Sequence, residues 1–188
     1  MRKTTKQAIS ESLKTLLEKQ TIDKITIKEI VAECGVNRQT FYYHFSDIYE
    51  LLEWALEDTI QEYITVNPVP KDDWQEQIYL FYRFLYSHRR IILHAYDPIN
   101  RTYYENFTVK FIEPIIMYRI SLCPAAVHVP EDKRQFVQQV YTWICSDLII
   151  EWVEHGMPDE QKTRLDDYIT LVNGSLDAAL ERFIPNHI

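Results

Sequence analysis

Between Thr26 and Phe45 two helix starts and one helix stop fall within twenty residues, and that spacing restricts the fold more than any other feature of the chain. Thr26 followed three residues later by Glu29 is the pairing in which a hydroxyl and a carboxylate satisfy the open amides of a helix start. A short helix is therefore predicted through Cys34. Gly35 stops it, because glycine readily takes the left-handed conformation that follows a helix C-terminus. Asn37 is a favoured cap for the next helix, predicted from Arg38 to Phe45. Ile30, Cys34, Val36 and Phe41 are spaced to face inward. Two short helices joined by Gly35-Val36-Asn37 form the tight angular pair of a helix-turn-helix.

The rest of the chain is also helical in pattern. It holds only 3 Gly in 188 residues against 46% hydrophobic residues, which disfavours a turn-rich sheet protein. Ile9, Leu13, Leu16 and Leu17 predict a helix from Thr5 to about Gln20 with one buried face. Ser46, with Asp47 in the following turn, marks a fourth start, continued to about Thr65 by Leu51, Leu52, Ala55, Leu56 and Ile60. Asn67-Pro68-Val69-Pro70 cannot continue a helix and reads as a linker. A helix is then predicted from Trp74 to about Leu93. One or two helices lie between Asp97 and Pro130, with Pro114 breaking or kinking them. Phe136, Val140, Ile144, Leu148 and Trp152 step by four, and Leu165, Ile169, Val172, Leu176 and Leu180 follow at helical spacing. The expectation is an all-α chain of about nine helices: a three-helix unit with the helix-turn-helix over residues 1–46 and a larger helical domain over 47–188.

Charge and cysteine usage bound the partners. The formal net charge is −8, which opposes nucleic-acid binding by the chain as a whole. Residues 1–46 nevertheless carry +3 and residues 47–188 carry −11, so phosphate is welcome only at the N-terminal quarter. Cys34, Cys123 and Cys145 are odd in number and far apart, against a disulfide framework or a zinc site; no metal and no cofactor is expected. The basic stretch Met1 to Lys6 leads into an amphipathic segment where a secretory signal needs an apolar one. No segment has the roughly 18 apolar residues of a membrane span, so a cytoplasmic protein is expected.

At the start of the second helix of the pair, Arg38 suits guanine O6 and N7 and Gln39 suits adenine N6 and N7. Thr26, Thr40, Tyr42 and His44 offer groups for phosphate oxygens, which set register without reading sequence. Lys28 serves either purpose, and Tyr43 either touches DNA or covers the domain. The run Thr26-Ile-Lys-Glu-Ile-Val-Ala-Glu-Cys-Gly-Val-Asn-Arg-Gln-Thr-Phe-Tyr-Tyr-His-Phe45 resembles the signature of the TetR/AcrR regulators, a resemblance that covers about residues 5 to 56. It implies a homodimer on a palindromic operator, with DNA contacts at Thr26, Lys28, Arg38, Gln39, Thr40, Tyr42 and His44, and a C-terminal domain that receives a signal. The chain departs from that pattern at Val31, where many members have a small residue, and at Ile48, where many have a phosphate-binding Lys. Without that Lys, the amides at the start of the fourth helix are expected to meet phosphate alone.

Farther along, Asp73-Trp-Gln-Glu-Gln, Leu80-Phe-Tyr-Arg-Phe-Leu85 and Asp147-Leu-Ile-Ile-Glu-Trp-Val-Glu-His-Gly156 resemble the branch of the family that includes the activator of dihydroxyacetone kinase operons. The resemblance names no effector, and a co-regulator protein is as compatible as a small molecule. Tyr82, Tyr86, His94, Tyr104, Phe107, Phe111, Arg119 and Asp147 form a candidate ligand pocket, against the alternative of a filled core. Asp147 either anchors a ligand or lies at an edge. The last two helices, with Gly174, Ala178 and Ala179 permitting close approach, suit a dimer interface. An enzyme is disfavoured: there is no glycine-rich phosphate loop, no nucleophile setting and no paired-ligand spacing, and His88 and His94 fall on different helical faces. The other competing class is a helical protein-interaction adaptor with a vestigial helix-turn-helix.

Overall fold

The computed structural model describes residues 4–68, 70, 72–159 and 161–185, with backbone alone for 161–164. The described residues form nine α-helices and no strand. The chain divides into two compact units, one of residues 1–68 with 83–107 and one of residues 69–82 with 108–188.

In the first unit, α1 (Thr5–Leu17) starts at a Thr4 capping box with Gln7 and ends sooner than its apolar pattern suggests. Its Ile9, Leu13 and Leu17 are fully buried, and it packs against α2 (Ile27–Cys34), α4 (Ile48–Val66) and α6 (Arg89–Ala95). Between α1 and α2 a 3-10 turn, Ile22–Lys24, buries Ile22. The predicted cap of α2 forms in both directions: the Glu29 amide donates to Thr26 Oγ1 at 3.3 Å and the Thr26 amide to Glu29 Oε2 at 2.8 Å. Gly35 follows with φ 72°, ψ 24°. Then comes α3 (Arg38–His44), capped by Asn37 and packed on α2.

Two expectations for this unit are corrected. The fourth helix is capped by Asp47, not Ser46: its carboxylate accepts from the Tyr49 and Glu50 amides, both at 2.8 Å. The helix predicted from Trp74 to Leu93 breaks at His88 (φ −106°, ψ 18°) into α5 (Trp74–Ser87) and α6. There the Ser87 hydroxyl and the His88 Nδ1 both lie 2.9 Å from the Phe84 carbonyl. Side chains that engage late carbonyls in this way offer the backbone an alternative to continuing the helix.

The second unit holds the N-terminal part of α5, the C-terminal part of α7 (Arg101–Ser121), a 3-10 turn at Pro124–His128, α8 (Glu131–Glu154) and α9 (Gln161–Glu181). Here α7 runs unbroken through Pro114. A proline in a helix interior costs about 3 kcal/mol, and the burial of Ile112, Ile115 and Ile116 around it offsets that loss. Within this unit Phe81 stacks on Phe111 at 4.1 Å. Arg119 is buried, 2.7 Å from Asp177 Oδ2 and 3.2 Å from the Asn173 carbonyl.

The stripe predicted for α8 is only partly its buried one. Val137, Thr142, Ser146, Ile150, Trp152 and Val153 face inward, whereas Phe136 and Ile144 are 53% and 43% exposed, beside Trp143 at 57%. This helix is apolar on more than one side, so periodicity alone does not select the face that packs.

Candidate nucleic-acid interface

Each helix of the pair is fastened by its caps and by one or two apolar anchors. On α3, Asn37 Oδ1 accepts from the Thr40 amide at 2.8 Å and from the Thr40 hydroxyl at 3.0 Å. Phe41 is fully buried, edge-on to Tyr42 at 5.5 Å and tilted against Phe45 at 5.9 Å. With Phe41 as the inward anchor, the side chains that flank it point outward. Arg38 and Gln39 on the first turn are exposed, Tyr42 is 57% and Tyr43 84% exposed, and His44 is half-buried with its ring 5.0 Å from that of Tyr43. On α2, Lys28 is exposed as well.

The caps alter what two expected phosphate ligands can do. Thr26 Oγ1 donates to Glu29 Oε2 at 2.7 Å, and Thr40 Oγ1 donates to Asn37. Each hydroxyl proton is thus committed, and either group could donate to phosphate only by leaving its cap. The Thr26 hydroxyl and amide also hold the Glu29 carboxyl below its ordinary range, which keeps a negative charge at that end of α2. Arg38, Gln39, Lys28, Tyr42 and His44 have no such engagement among the described hydrogen bonds.

The start of α4 differs from expectation. The Tyr49 and Glu50 amides already receive the Asp47 carboxylate, while Glu50 Oε2 accepts from the Ser46 amide at 2.6 Å and is held below the usual carboxylate range by that contact. Two carboxylates beside largely satisfied amides repel phosphate rather than bind it. The expectation that these amides replace the missing Lys at Ile48 is therefore corrected.

Two further contacts fix α4, and with it the pair. The Tyr49 hydroxyl donates to Asp97 Oδ2 and accepts from Asn100 Nδ2, both at 2.7 Å, and its ring stacks on Tyr103 at 5.0 Å. Burial, and then the hydrogen bond to Asp97, push the phenol up to about 12, so it keeps the proton that it donates. Across the N-terminal end, Lys6 Nζ lies 5.0 Å from the Phe45 ring centre and 5.4 Å from that of Trp54, a cation–π clamp between α1 and α4. Sequence reasoning missed both, since neither spacing has a signature.

Residues 7–55 match the family described as bacterial regulatory proteins, tetR family, and residues 72–174 match the one described as transcriptional regulator C-terminal region. The chain belongs to the TetR family. Over 81 residues it is 31% identical to the HTH-type dhaKLM operon transcriptional activator DhaS of Lactococcus lactis subsp. lactis (strain IL1403), a match spanning 43% of each protein, less than half the relative's length. In fold it is similar to the solved dihydroxyacetone kinase operon activator DhaS, with TM-score 0.62, 19% identity, 96% of this chain and 98% of that one covered. A TetR-family transcription regulator from Shewanella sp. PV-4 follows, with TM-score 0.53, 18% identity, and 92% and 98% covered. A TetR-family regulator is a transcription factor, and among its described residues no helix is long and apolar enough to cross a membrane.

The residues singled out as a candidate pocket are divided between the two units of this TetR-family chain. Tyr86, His94, Tyr104 and Phe107 belong to the first unit, whereas Tyr82, Phe111, Arg119 and Asp147 belong to the second. His94 Nδ1 lies 2.7 Å from the Leu17 carbonyl at the end of α1, Tyr104 is buried and bonds the Ala95 carbonyl, and Tyr86 is exposed. Phe111 is taken up by its stack on Phe81, Arg119 by its ion pair, and Asp147 lies at the surface. Tyr82 alone of the eight lines the cleft of the second unit, beside Trp152. The other lining residues are mostly aliphatic, which sequence cannot distinguish from ordinary core.

Proposed function

We propose that this TetR-family regulator is cytoplasmic and binds a palindromic operator as a homodimer, with α3 in the major groove, and that residues 47–188 receive a ligand or partner-protein signal. The observation that carries the reading is the disposition of α3: Phe41 anchors it inward while Arg38 and Gln39 stand exposed at its first turn. Base edges are reached from that end of a recognition helix. Arg38 and Gln39 read bases. Lys28, Tyr42, Tyr43 and His44 hold phosphates, and Thr26 and Thr40 contribute mainly through the caps that set the helix starts.

The homodimer reading rests on the outer stripe of α8, where Phe136, Trp143 and Ile144 are exposed, together with exposed Leu171 on α9. Large apolar side chains gathered on two helices mark an association surface. A second protomer related by two-fold symmetry would cover them and supply the second half-site. The similarity to an operon activator named DhaS favours control of a neighbouring operon.

The test is a gel shift on the intergenic DNA beside its own gene, with Arg38→Ala in parallel. The substitution is expected to weaken specific binding by about 1–3 kcal/mol while changing non-specific binding less. Equal losses on both kinds of DNA would remove the base-reading role. Absence of any retarded species would favour the adaptor with a vestigial helix-turn-helix.

A further inference from the structure

One stripe of α8 carries Lys133, Phe136, Val140, Ile144 and Asp147, with Trp143 beside it. All are exposed except Val140, which is half-buried. Lys133 and Asp147 stand seven residues to either side of Val140, close to two turns each way, which keeps the three in line. Phe136 and Ile144 stand four residues to either side. About Val140 the stripe is therefore symmetric in apolar character and opposite in charge at its two ends.

On α9 the same arrangement recurs about Gly174 and Ser175. Leu171 and Ala178 lie three residues outside that central pair, and Asp167 and Arg182 lie seven residues outside it. Asp167, Leu171, Gly174, Ala178 and Arg182 are all exposed. A Cβ built at Gly174 meets nothing within 4 Å, so the surface there leaves room for a second helix backbone. The two centres lie level with each other, because the hydroxyl of Tyr141, next to Val140, donates to Ser175 Oγ at 2.8 Å. A single axis across both helices can therefore serve both patterns.

We propose that α8 and α9 each cross their own counterpart in a second copy of this chain, antiparallel, about one two-fold axis level with Val140 and Gly174. Reciprocal ion pairs, Lys133 with Asp147 and Asp167 with Arg182, set this register and select the partner. The register rests on the homodimer reading above, and that reading does not depend on the register.

Charge decides among the possible pairings. A two-fold interface brings residue i to residue j and j to i, so an antiparallel pair centred on Val140 sets Lys133 against Asp147 of the second copy, and Phe136 against its Ile144, twice over. A parallel pair sets each residue against itself, lysine on lysine and aspartate on aspartate. Crossing α8 with α9 of the second copy at the same level sets Asp147 against Asp167 and Lys133 against Arg182. Both alternatives bring like charges together, which opposes association. Lys133 Nζ does lie 3.0 Å from its neighbour Asp132, but that pair is exposed and such pairs are worth little. The exposed Phe136, Trp143 and Leu171 supply the apolar area that the crossing covers.

The experiment uses the full-length protein and two charge reversals, Lys133→Glu and Asp147→Lys, followed by sedimentation equilibrium and by native mass spectrometry of chains of distinguishable mass. Each variant alone places like charges at both ends of the α8 pair, and its dimer dissociation constant is expected to rise about 10-fold. Mixed in equal amounts, the two variants restore both attractions, and heterodimer is expected well above the statistical half. Positions 133 and 147 are about 21 Å apart along one helix, too far for rescue within a chain. Asp167→Arg mixed with Arg182→Asp repeats the test on α9 and keeps it decisive should an α8 variant not fold. The register is overturned if the mixtures give only the statistical half, or if the single reversals leave the dissociation constant unchanged, while the parent is dimeric; the homodimer reading then stands. A parent that sediments as a monomer at every concentration removes both.

Discussion

Gly35 sets the angle between α2 and α3, and replacing it with alanine measures what that turn demands. Its φ of 72° and ψ of 24° are left-handed, and its amide donates to the Val31 carbonyl, as does the Val36 amide at 3.0 Å. A Cβ built at Gly35 meets nothing within 4 Å. No collision contributes, so the cost is conformational: an L-residue loses about 1–2 kcal/mol in this region. Alanine also narrows the unfolded ensemble relative to glycine, returning about 0.4–1 kcal/mol. The net expectation for Gly35→Ala is a destabilisation of about 0.5–1.5 kcal/mol. Asparagine tolerates the left-handed region better, so Gly35→Asn should lose less. Urea denaturation of the three proteins at one fixed concentration, with midpoints compared at unchanged slope, gives the differences. A loss above about 3 kcal/mol would mean a steric conflict where the structure leaves space. An alanine variant as stable as the parent, or more so, would refute the left-handed turn.

Gly174 lies within α9 with ordinary helical dihedrals, and a Cβ there also meets nothing within 4 Å. Gly174→Ala should therefore stabilise the isolated protomer by about 1 kcal/mol yet weaken self-association if α9 approaches a second copy closely; sedimentation equilibrium alongside thermal melts checks both signs. Tyr49→Phe keeps the stack on Tyr103 but removes the hydroxyl shared by Asp97 and Asn100, for a loss of about 1–2 kcal/mol. The Asp97 carboxyl, held low first by Tyr49, should titrate higher in that variant, and carbon NMR that finds it unmoved would exclude the contact. Asp177 is held low first by its bond from Arg119, so its contribution is present above the unfolded carboxylate pKa of about 3.9 and is lost as pH falls through the lower folded value. Acid unfolding of Asp177→Asn should accordingly show a shallower loss of stability below about pH 4 than the parent, and parallel curves would rule out the pairing.

Much of the N-terminal unit was legible because its signals are local. The Thr26–Glu29 box, the Gly35 stop and the Asn37 cap are contacts within three or four residues, and each appears at the position that the residue types demand. Ser46 against Asp47 shows the limit of such signals: both are cap formers, and only the backbone decided which carboxylate or hydroxyl meets the open amides. His88 and Pro114 erred in opposite directions. One helix broke where no proline stands, and another continued through a proline, because side-chain hydrogen bonding and burial outweighed local propensity.

By itself the sequence determined the all-α class, the helix-turn-helix and the residues on its outward side, since these follow from spacing along the chain. Tertiary structure decided what spacing does not contain. It committed the Thr26 and Thr40 hydroxyls to caps, placed Asp47 and Glu50 where a phosphate site was expected, and engaged His94, Phe111 and Arg119 of the candidate pocket in contacts within their own units. In their place it made a cleft from isoleucines, a valine and a tryptophan that had looked like core. On α8 it turned Val137 and Ile150 inward and left Phe136 and Trp143 at the surface. Burial is a property of what lies opposite a side chain, and helices far apart in sequence supply that opposite face.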